Sequence, residues 1–294
     1  MKKYVAIDIG GTSIKYGIVD ENGNVVFDSK TPTEAEKGGK HLVQNVITII
    51  DLLIKSHHEI SGIGISTAGV VDTSTGCVVY ANDNLPGYAG TSWNDILSSH
   101  FHLPVYVCND VNAVALAERW VGAARGCDNF ICVAIGTGIG GAAFINGKLY
   151  TGAHYRAAEI GYMNTAGNGI TYENRASTIS LVKNIISATA DSDVDGISVF
   201  SRAKSGNALY VKILDEWFDE LASGIANAVL CFDPELIIIG GAVSSQGRSF
   251  LQRIHESLKK DLPEDFLSSV RMKTAECGNY AGMIGSVYCL NDMV

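Results

Sequence analysis

The strongest constraint on the fold of this chain is a pattern that occurs twice. Residues 4–9 form a nearly continuous apolar run, Gly10-Gly11 interrupts it, residues 14–19 resume it, and Glu21-Asn22-Gly23-Asn24 precedes a third run at 25–29. The same order returns within 130–150: an apolar run at 130–135, a glycine-rich stretch at 136–141, a second run at 142–145, and Asn146-Gly147. Short apolar runs bounded by Gly and Asn read as strands joined by tight turns. Both copies precede segments of helical period, so the repeat is one of whole domains and not of a short-period solenoid. It predicts two similar α/β domains facing each other across a cleft, and such clefts are preferred sites for small ligands. The length of 294 residues agrees with two domains at roughly 150 residues each. The expected division is 1–115, 116–280, and a helix over 281–294 returning to the N-terminal domain.

Between the repeated units the periodicity changes. Leu42, Val46, Ile49, Ile50 and Leu53 lie on one helical stripe within 41–60. Strands are predicted at 62–66, 77–81, 105–108 and 236–239. A helix is predicted from Asp110, a good N-cap residue type, through Ala113, Leu116 and Ala117. Further helices are predicted at 177–190, 195–205, 207–232 and 281–291; the third presents Val211, Leu214, Phe218, Leu221, Ile225 and Val229 on one face. Trp93, Trp120 and Trp217 fall in helical segments and read as core or interface.

Composition excludes several classes of function. Apolar residues make up 47% of the chain and charged residues 18%, which is a globular balance. The formal net charge of −9, with basic residues scattered, argues against a nucleic-acid partner, because phosphate backbones reward clustered Lys and Arg. The seven cysteines contain no CxxC pair, and several sit in apolar runs where Cys behaves as a small hydrophobe. The first residues enter a strand directly, with no room for a signal-peptide core, and no apolar run approaches the roughly 20 residues of a membrane span. The expectation is a soluble cytoplasmic protein with no membrane partner.

Four short segments carry the chemistry. In Asp8-Ile9-Gly10-Gly11-Thr12-Ser13-Ile14-Lys15, two glycines between strands allow a tight turn and let backbone N–H groups approach a phosphate. Thr12 adds a hydroxyl and Lys15 a cation, and Asp8 at the end of a buried strand can hold Mg²⁺ through water. An ordinary Gly-Gly hairpin with a solvated Lys is the alternative. Gly136-Thr137-Gly138-Ile139-Gly140-Gly141 packs four glycines into six residues. Its GxGxxG spacing is followed by a strand and not a helix, which counts against a dinucleotide fold. In Asp233–Ser244 an apolar strand runs into Gly240-Gly241, a turn able to lie flat against an adenine or ribose. Finally, Asn109-Asp110 places a carboxylate where a strand meets a helix. There it serves as a cap or, within reach of a substrate hydroxyl, as the base in phosphoryl transfer.

Together these segments resemble the ROK (repressor/ORF/kinase) family of sugar kinases, within the actin-like ATPase superfamily of ribonuclease H-like fold. DIGGTSIK (8–15) looks like the family's first phosphate motif and GISTAGVVD (64–72) like its sugar-side loop. NLPGY (84–88) is similar to an NLPGW-type segment, and NDVNAVALAE (109–118) to the catalytic-base segment. GTGIGG (136–141) resembles the second phosphate motif and IIIGGAVS (237–244) the adenosine motif. The resemblance implies Asp110 as base. It implies that Asp8, Gly10, Gly11, Thr12, Lys15, Gly136, Thr137, Gly138, Gly140, Gly240 and Gly241 contact Mg-ATP. Gly69, Asn82, Asn109, Glu159 and Glu173 would line the sugar pocket, with His154 nearby. A homodimer is common in the family.

Two departures bear on the substrate. The family's EIGHM segment reads Glu159-Ile160-Gly161-Tyr162-Met163 here, with Tyr in place of a histidine that binds zinc and touches the sugar near its anomeric end. The following stretch, 164–175, has no cysteine, so no structural zinc is expected. Without that zinc loop the anomeric side of the pocket would be more open. A β-glucoside such as cellobiose would then fit with its 6-hydroxyl toward Asp110. N-acetylmannosamine kinase, through GISTAG and ALAERW, and glucokinase are the alternatives, with fructokinase activity also open. A repressor would carry a DNA-binding segment ahead of DIGGT, which here begins at residue 8. An inactive sugar sensor is the non-enzymatic alternative.

Overall fold

The computed structural model describes residues 1–81, 85–164 and 166–291. The chain divides into two compact units. Unit 1 comprises Met1–Gly126, Thr151–Ala157 and the segment from Glu276; unit 2 comprises Cys127–Tyr150 and Ala158–Ala275. The junction expected between 115 and 116 falls inside a helix, and the division lies at Gly126 instead.

Unit 1 begins with β1 (Lys3–Ile9), β2 (Ser13–Asp20) and β3 (Val25–Pro32). Helix α1 (Gly39–Ser56) follows, then β4 (Ile60–Thr67), a small hairpin of β5 (Val70–Asp72) and β6 (Cys77–Tyr80), α2 (Trp93–Phe101), β7 (Val105–Asn109) and α3 (Asp110–Trp120). Its main sheet has the order β3-β2-β1-β4-β7. β1 to β3 are antiparallel neighbours, whereas β1, β4 and β7 run parallel. The parallel strands have buried apolar centres, as strands covered on both faces require. Helix α1 buries Leu42, Val46, Ile49, Ile50 and Leu53 as the stripe predicts. At about 1.5–3 kcal/mol for each buried aliphatic side chain, that stripe and not local propensity holds the helix on the sheet. The helix stops at Ser56, and Ile60 already belongs to β4.

Unit 2 repeats the plan with β8 (Phe130–Ile135), β9 (Ile139–Ile145) and β10 (Lys148–Tyr150), then α4 (Tyr172–Ala176), α5 (Thr178–Thr189), α6 (Gly196–Lys204), α7 (Ala208–Phe232), β11 (Leu236–Gly240), α8 (Arg248–Leu258), α9 (Glu264–Ser269) and β12 (Met272–Thr274). Its sheet order is β10-β9-β8-β11-β12, which matches the first sheet strand for strand. Strand β9 starts at Ile139, so Gly140 and Gly141 are strand residues and the open turn is only Gly136-Thr137-Gly138. The core collects Leu214, Trp217, Phe218, Leu221 and Ile225 of α7 with Phe250 and Ile254 of α8. Val211 is not in that core: it is 36% exposed, and Tyr210 takes the inward position one residue earlier.

Helix α10 (Ala281–Asn291) belongs to unit 1. Met283, Val287 and Leu290 join Tyr4, Ala6 and Val19 in one buried cluster. Close approach is set by glycines. A methyl group on Gly285 would enter the Ala113 backbone of α3, and one on Gly64 of β4 would enter the Ser286 backbone. Among the described residues no helix is long and apolar enough to cross a membrane.

Candidate active site

In unit 1 the parallel register brings three strand ends to one edge. Ile9 pairs with Thr67, and Thr67 with Asn109. The residues that follow, Gly10-Gly11, Ala68-Gly69 and Asp110, therefore emerge side by side, at the carboxyl ends of strands where open α/β sheets bind ligands. Asn109 holds this edge together. Its side-chain oxygen accepts from the N–H groups of Val111 at 2.9 Å and Asn112 at 3.1 Å. Asn109 is thus the N-cap of α3, and Asp110, read as the cap from sequence, is the first helical residue. The Asn109 amide nitrogen donates to the Gly69 carbonyl at 3.0 Å and to Asp110 Oδ1 at 2.9 Å. Asp110 Oδ1 also accepts from the Val111 N–H at 2.9 Å. Gly69 has φ +104°, where a side chain would be strained and would meet the Tyr80 carbonyl.

Asp8 lies directly opposite Lys15 across the β1–β2 ladder. The Lys15 ammonium sits 3.3 Å from Asp8 Oδ2 and donates also to the Asn279 carbonyl at 3.3 Å. Asp8 Oδ1 accepts from the Ser66 hydroxyl at 2.9 Å. Gly11 and Thr12 are exposed in the turn between the strands. The turn is fixed by a residue that the sequence reading missed: Thr33 is fully buried, donates its hydroxyl to the Gly10 carbonyl at 2.6 Å, and donates its N–H to the Thr12 carbonyl at 3.0 Å.

In unit 2, β8 and β11 are parallel neighbours, and Gly240 pairs with Ala134. The two glycine turns of this unit therefore adjoin. Gly241 has φ +88°, and a Cβ there would collide with the Ile135 backbone at the start of the other turn. The Gly136 N–H closes on the Gly138 carbonyl at 2.9 Å, and the Gly136 carbonyl accepts from the Thr178 N–H at the start of α5 at 3.0 Å. Thr137 is exposed at the tip. The Thr178 hydroxyl is buried with no hydrogen-bond partner among the described residues.

Glu159 and Glu173 also belong to unit 2. The Glu173 carboxylate lies against Gly138 and accepts from the Ile139 N–H at 3.4 Å. Burial, with the Glu173 charge second, pushes the Glu159 carboxyl above its ordinary value. A carboxyl with displaced titration, as at Glu159, is a frequent mark of functional sites. Tyr162 stands on the turn that follows Glu159 and is 57% exposed, and His154 is exposed. Asn82, expected beside the sugar, lies outside the described residues, as does Asn84 of the NLPGY segment.

A β-glucoside kinase of Klebsiella pneumoniae is 34% identical over 302 residues, covering 99% of this chain and 97% of that enzyme. The structure of a ROK family glucokinase from Streptomyces griseus, in complex with glucose and AMPPNP, superposes with a TM-score of 0.84 at 27% identity, covering 99% of this chain and all of that one. A ROK family protein from Streptococcus pneumoniae in complex with sucrose gives a TM-score of 0.87 at 29% identity, covering 99% and 98% of the two chains. The two sheets of matching strand order are those of the actin-like ATPase fold. The model of the ROK family matches residues 4–292, and the chain belongs to that family.

Proposed function

We propose that this chain, an ATP-dependent sugar kinase, phosphorylates the 6-hydroxyl of the glucosyl unit of a β-glucoside such as cellobiose, with Asp110 as general base. The observation that carries the reading is the Asn109-Asp110 arrangement. A carboxylate on the first residue of a helix, at the edge where three parallel strands end, is oriented by the neighbouring amide. Phosphoryl transfer passes through a loose transition state, so positioning and charge supply most of the catalysis. Asp110 accepts the proton of the attacking hydroxyl, while Gly69, Asn109, Glu159 and Glu173 orient the sugar. Gly136, Thr137, Gly138, Gly140, Gly240 and Gly241 take the nucleotide, where the lack of side chains on the glycines lets phosphate and ribose approach the backbone closely. Gly10, Gly11, Thr12 and Lys15 take the transferred phosphoryl end.

Mg²⁺ commonly binds through one or two carboxylates, with water and substrate phosphates supplying the rest. Asp8 supplies one such carboxylate, whose oxygens keep lone pairs for metal-bound water beside their protein donors. Asp8 offers one carboxylate oxygen to Ser66 and the other to Lys15, and Asp8 would hold the ion, which screens the phosphate charge when bound.

The preference for a glycoside over a free hexose rests on Tyr162. A tyrosine that is 57% exposed on the turn after Glu159 offers an apolar ring face to a second sugar. The likeness to the Klebsiella enzyme supports the same class. The test is ATP consumption with cellobiose, gentiobiose, glucose and N-acetylmannosamine. The β-glucosides should give the highest kcat/KM. Cellobiose remaining inert while N-acetylmannosamine turns over would reject the glycoside reading. Absence of any sugar-dependent ADP release would reject the kinase in favour of a sensor. Asp110→Asn should lower kcat by about 10²–10⁴-fold, the usual range for a general base.

A further inference from the structure

Glu118 is a charged residue with no place in the chemistry above, yet it is completely buried at the end of helix α3. A buried carboxylate is costly unless its lone pairs are satisfied. Here three backbone donors converge on it. Oε2 accepts from the Ala123 N–H at 2.7 Å, and Oε1 from the N–H groups of Glu276 at 2.9 Å and Cys277 at 2.8 Å. Gly122 supplies the room, because a Cβ there would collide with the carboxylate. The Cys277 thiol packs against the same space, and burial together with the Glu118 charge pushes it up to about 12, so it stays a neutral neighbour.

What the carboxylate organises is the turn that re-enters unit 1. Its first two N–H groups are bound by Glu118, it tightens over Gly278–Tyr280, and its Asn279 carbonyl receives the Lys15 ammonium. Lys15 in turn pairs with Asp8. At the other end of α3 stands Asp110. A continuous set of contacts within unit 1 therefore runs from the helix that carries the base to the cation of the first glycine turn.

We propose that Glu118 is a positioning residue for phosphoryl transfer: by fixing the 276–280 turn to helix α3, it holds the carbonyl that places the Lys15 ammonium relative to Asp8. The proposal rests on the reading of Lys15 as a phosphate contact, and the test separates the two. Glu118→Gln keeps the shape, but an amide has only one acceptor oxygen, so its NH₂ must face at least one of the three backbone donors. In the folded variant, KM for ATP should rise about tenfold (about 1.4 kcal/mol) while KM for the sugar stays within about twofold. Backbone amides of 276–280 should exchange faster. In a Lys15→Met background the same substitution should leave KM for ATP unchanged, since the group it positions is gone. An unchanged KM for ATP in folded Glu118→Gln overturns the proposal, as does an equal rise in both backgrounds, which marks a purely structural role. Lys15→Met without effect on KM for ATP overturns the phosphate reading itself, and the proposal with it. Should Glu118→Gln not fold, Gly122→Ala, which presses a methyl group against the carboxylate, is measured in the same two backgrounds with the same criteria.

Discussion

Replacing Asn109 separates the two tasks that its side chain performs. Asn109 caps α3 through its oxygen and restrains Asp110 through its nitrogen. Asn109→Ala removes both. Loss of the cap costs about 1 kcal/mol, roughly 2–4 °C in Tm for a chain of about this size. Asn109→Asp keeps an acceptor for the cap, since Asn and Asp cap equally well, but sets a carboxylate where the amide donor stood, 2.9 Å from Asp110 Oδ1. Two unit charges about 3 Å apart repel by about 1.4 kcal/mol in water-like surroundings and about 5.5 kcal/mol at an effective dielectric of about 20. Rotation of the new side chain relieves the larger figure, and the smaller is already about one pH unit. The two variants should thus be of comparable stability and differ in their titration. The assay is the pH dependence of kcat/KM by coupled ADP release, whose ascending limb reports the base in the free enzyme. For Asn109→Asp that limb should move up by about one unit or more, with activity near neutrality reduced. For Asn109→Ala it should move less. Identical limbs in both variants, or an unmoved limb in Asn109→Asp, would refute Asp110 as the base held by this amide.

Gly241→Ala forces a side chain into φ +88° and against the Ile135 backbone. With ψ 177° this backbone lies in a region almost confined to glycine, which alone costs about 1–3 kcal/mol for another residue, so a lower Tm and a raised KM for ATP are expected, with KM for the sugar unaffected. Thr33→Val keeps the buried shape but removes the donor to the Gly10 carbonyl. It should cost about 1–3 kcal/mol for the unsatisfied group and lower kcat by loosening the first glycine turn, as chemical denaturation and steady-state kinetics would show. Glu159→Gln should raise stability at neutral pH. Because burial lifts the carboxyl above 4.5, the folded form resists ionisation, and stability is lost as pH rises through that lifted value. The gain in Tm should therefore be present at pH 7 and vanish below the ordinary carboxylate value.

Much of this architecture was legible because its signals are local. The duplicated strand–glycine–strand order announced both sheets, and the α1 stripe matched its buried face residue for residue. Errors arose where two adjacent residues offer the same chemistry. Asn109 and Asp110 are both good caps, and only the extended backbone of Asn109, with ψ 151°, decides between them. Val211 fits the helical period yet sits at the rim of the buried face, where Tyr210 displaces it. Glycines at 140 and 141 read as a loop, although pairing with β8 makes them strand. Glu118 and Thr33 carried no local signal of their roles: the backbone groups bound by Glu118 lie up to 159 positions away, and the Thr33 partner lies 23 positions back. Only assembled topology reveals such roles.

The threading of helix α10 back into unit 1 has a consequence for how the molecule comes to exist. As the polypeptide leaves the ribosome, the first sheet is complete by Asn109, yet the segment that covers Tyr4, Ala6 and Val19, helix α10 from Ala281, is synthesised only after about 170 further amino acids. During that interval an oily flank of the nascent protein has no native cover. Translation speed and chaperone supply thereby become determinants of yield, and shortening the nascent chain before Ala281 would leave this flank uncovered for good.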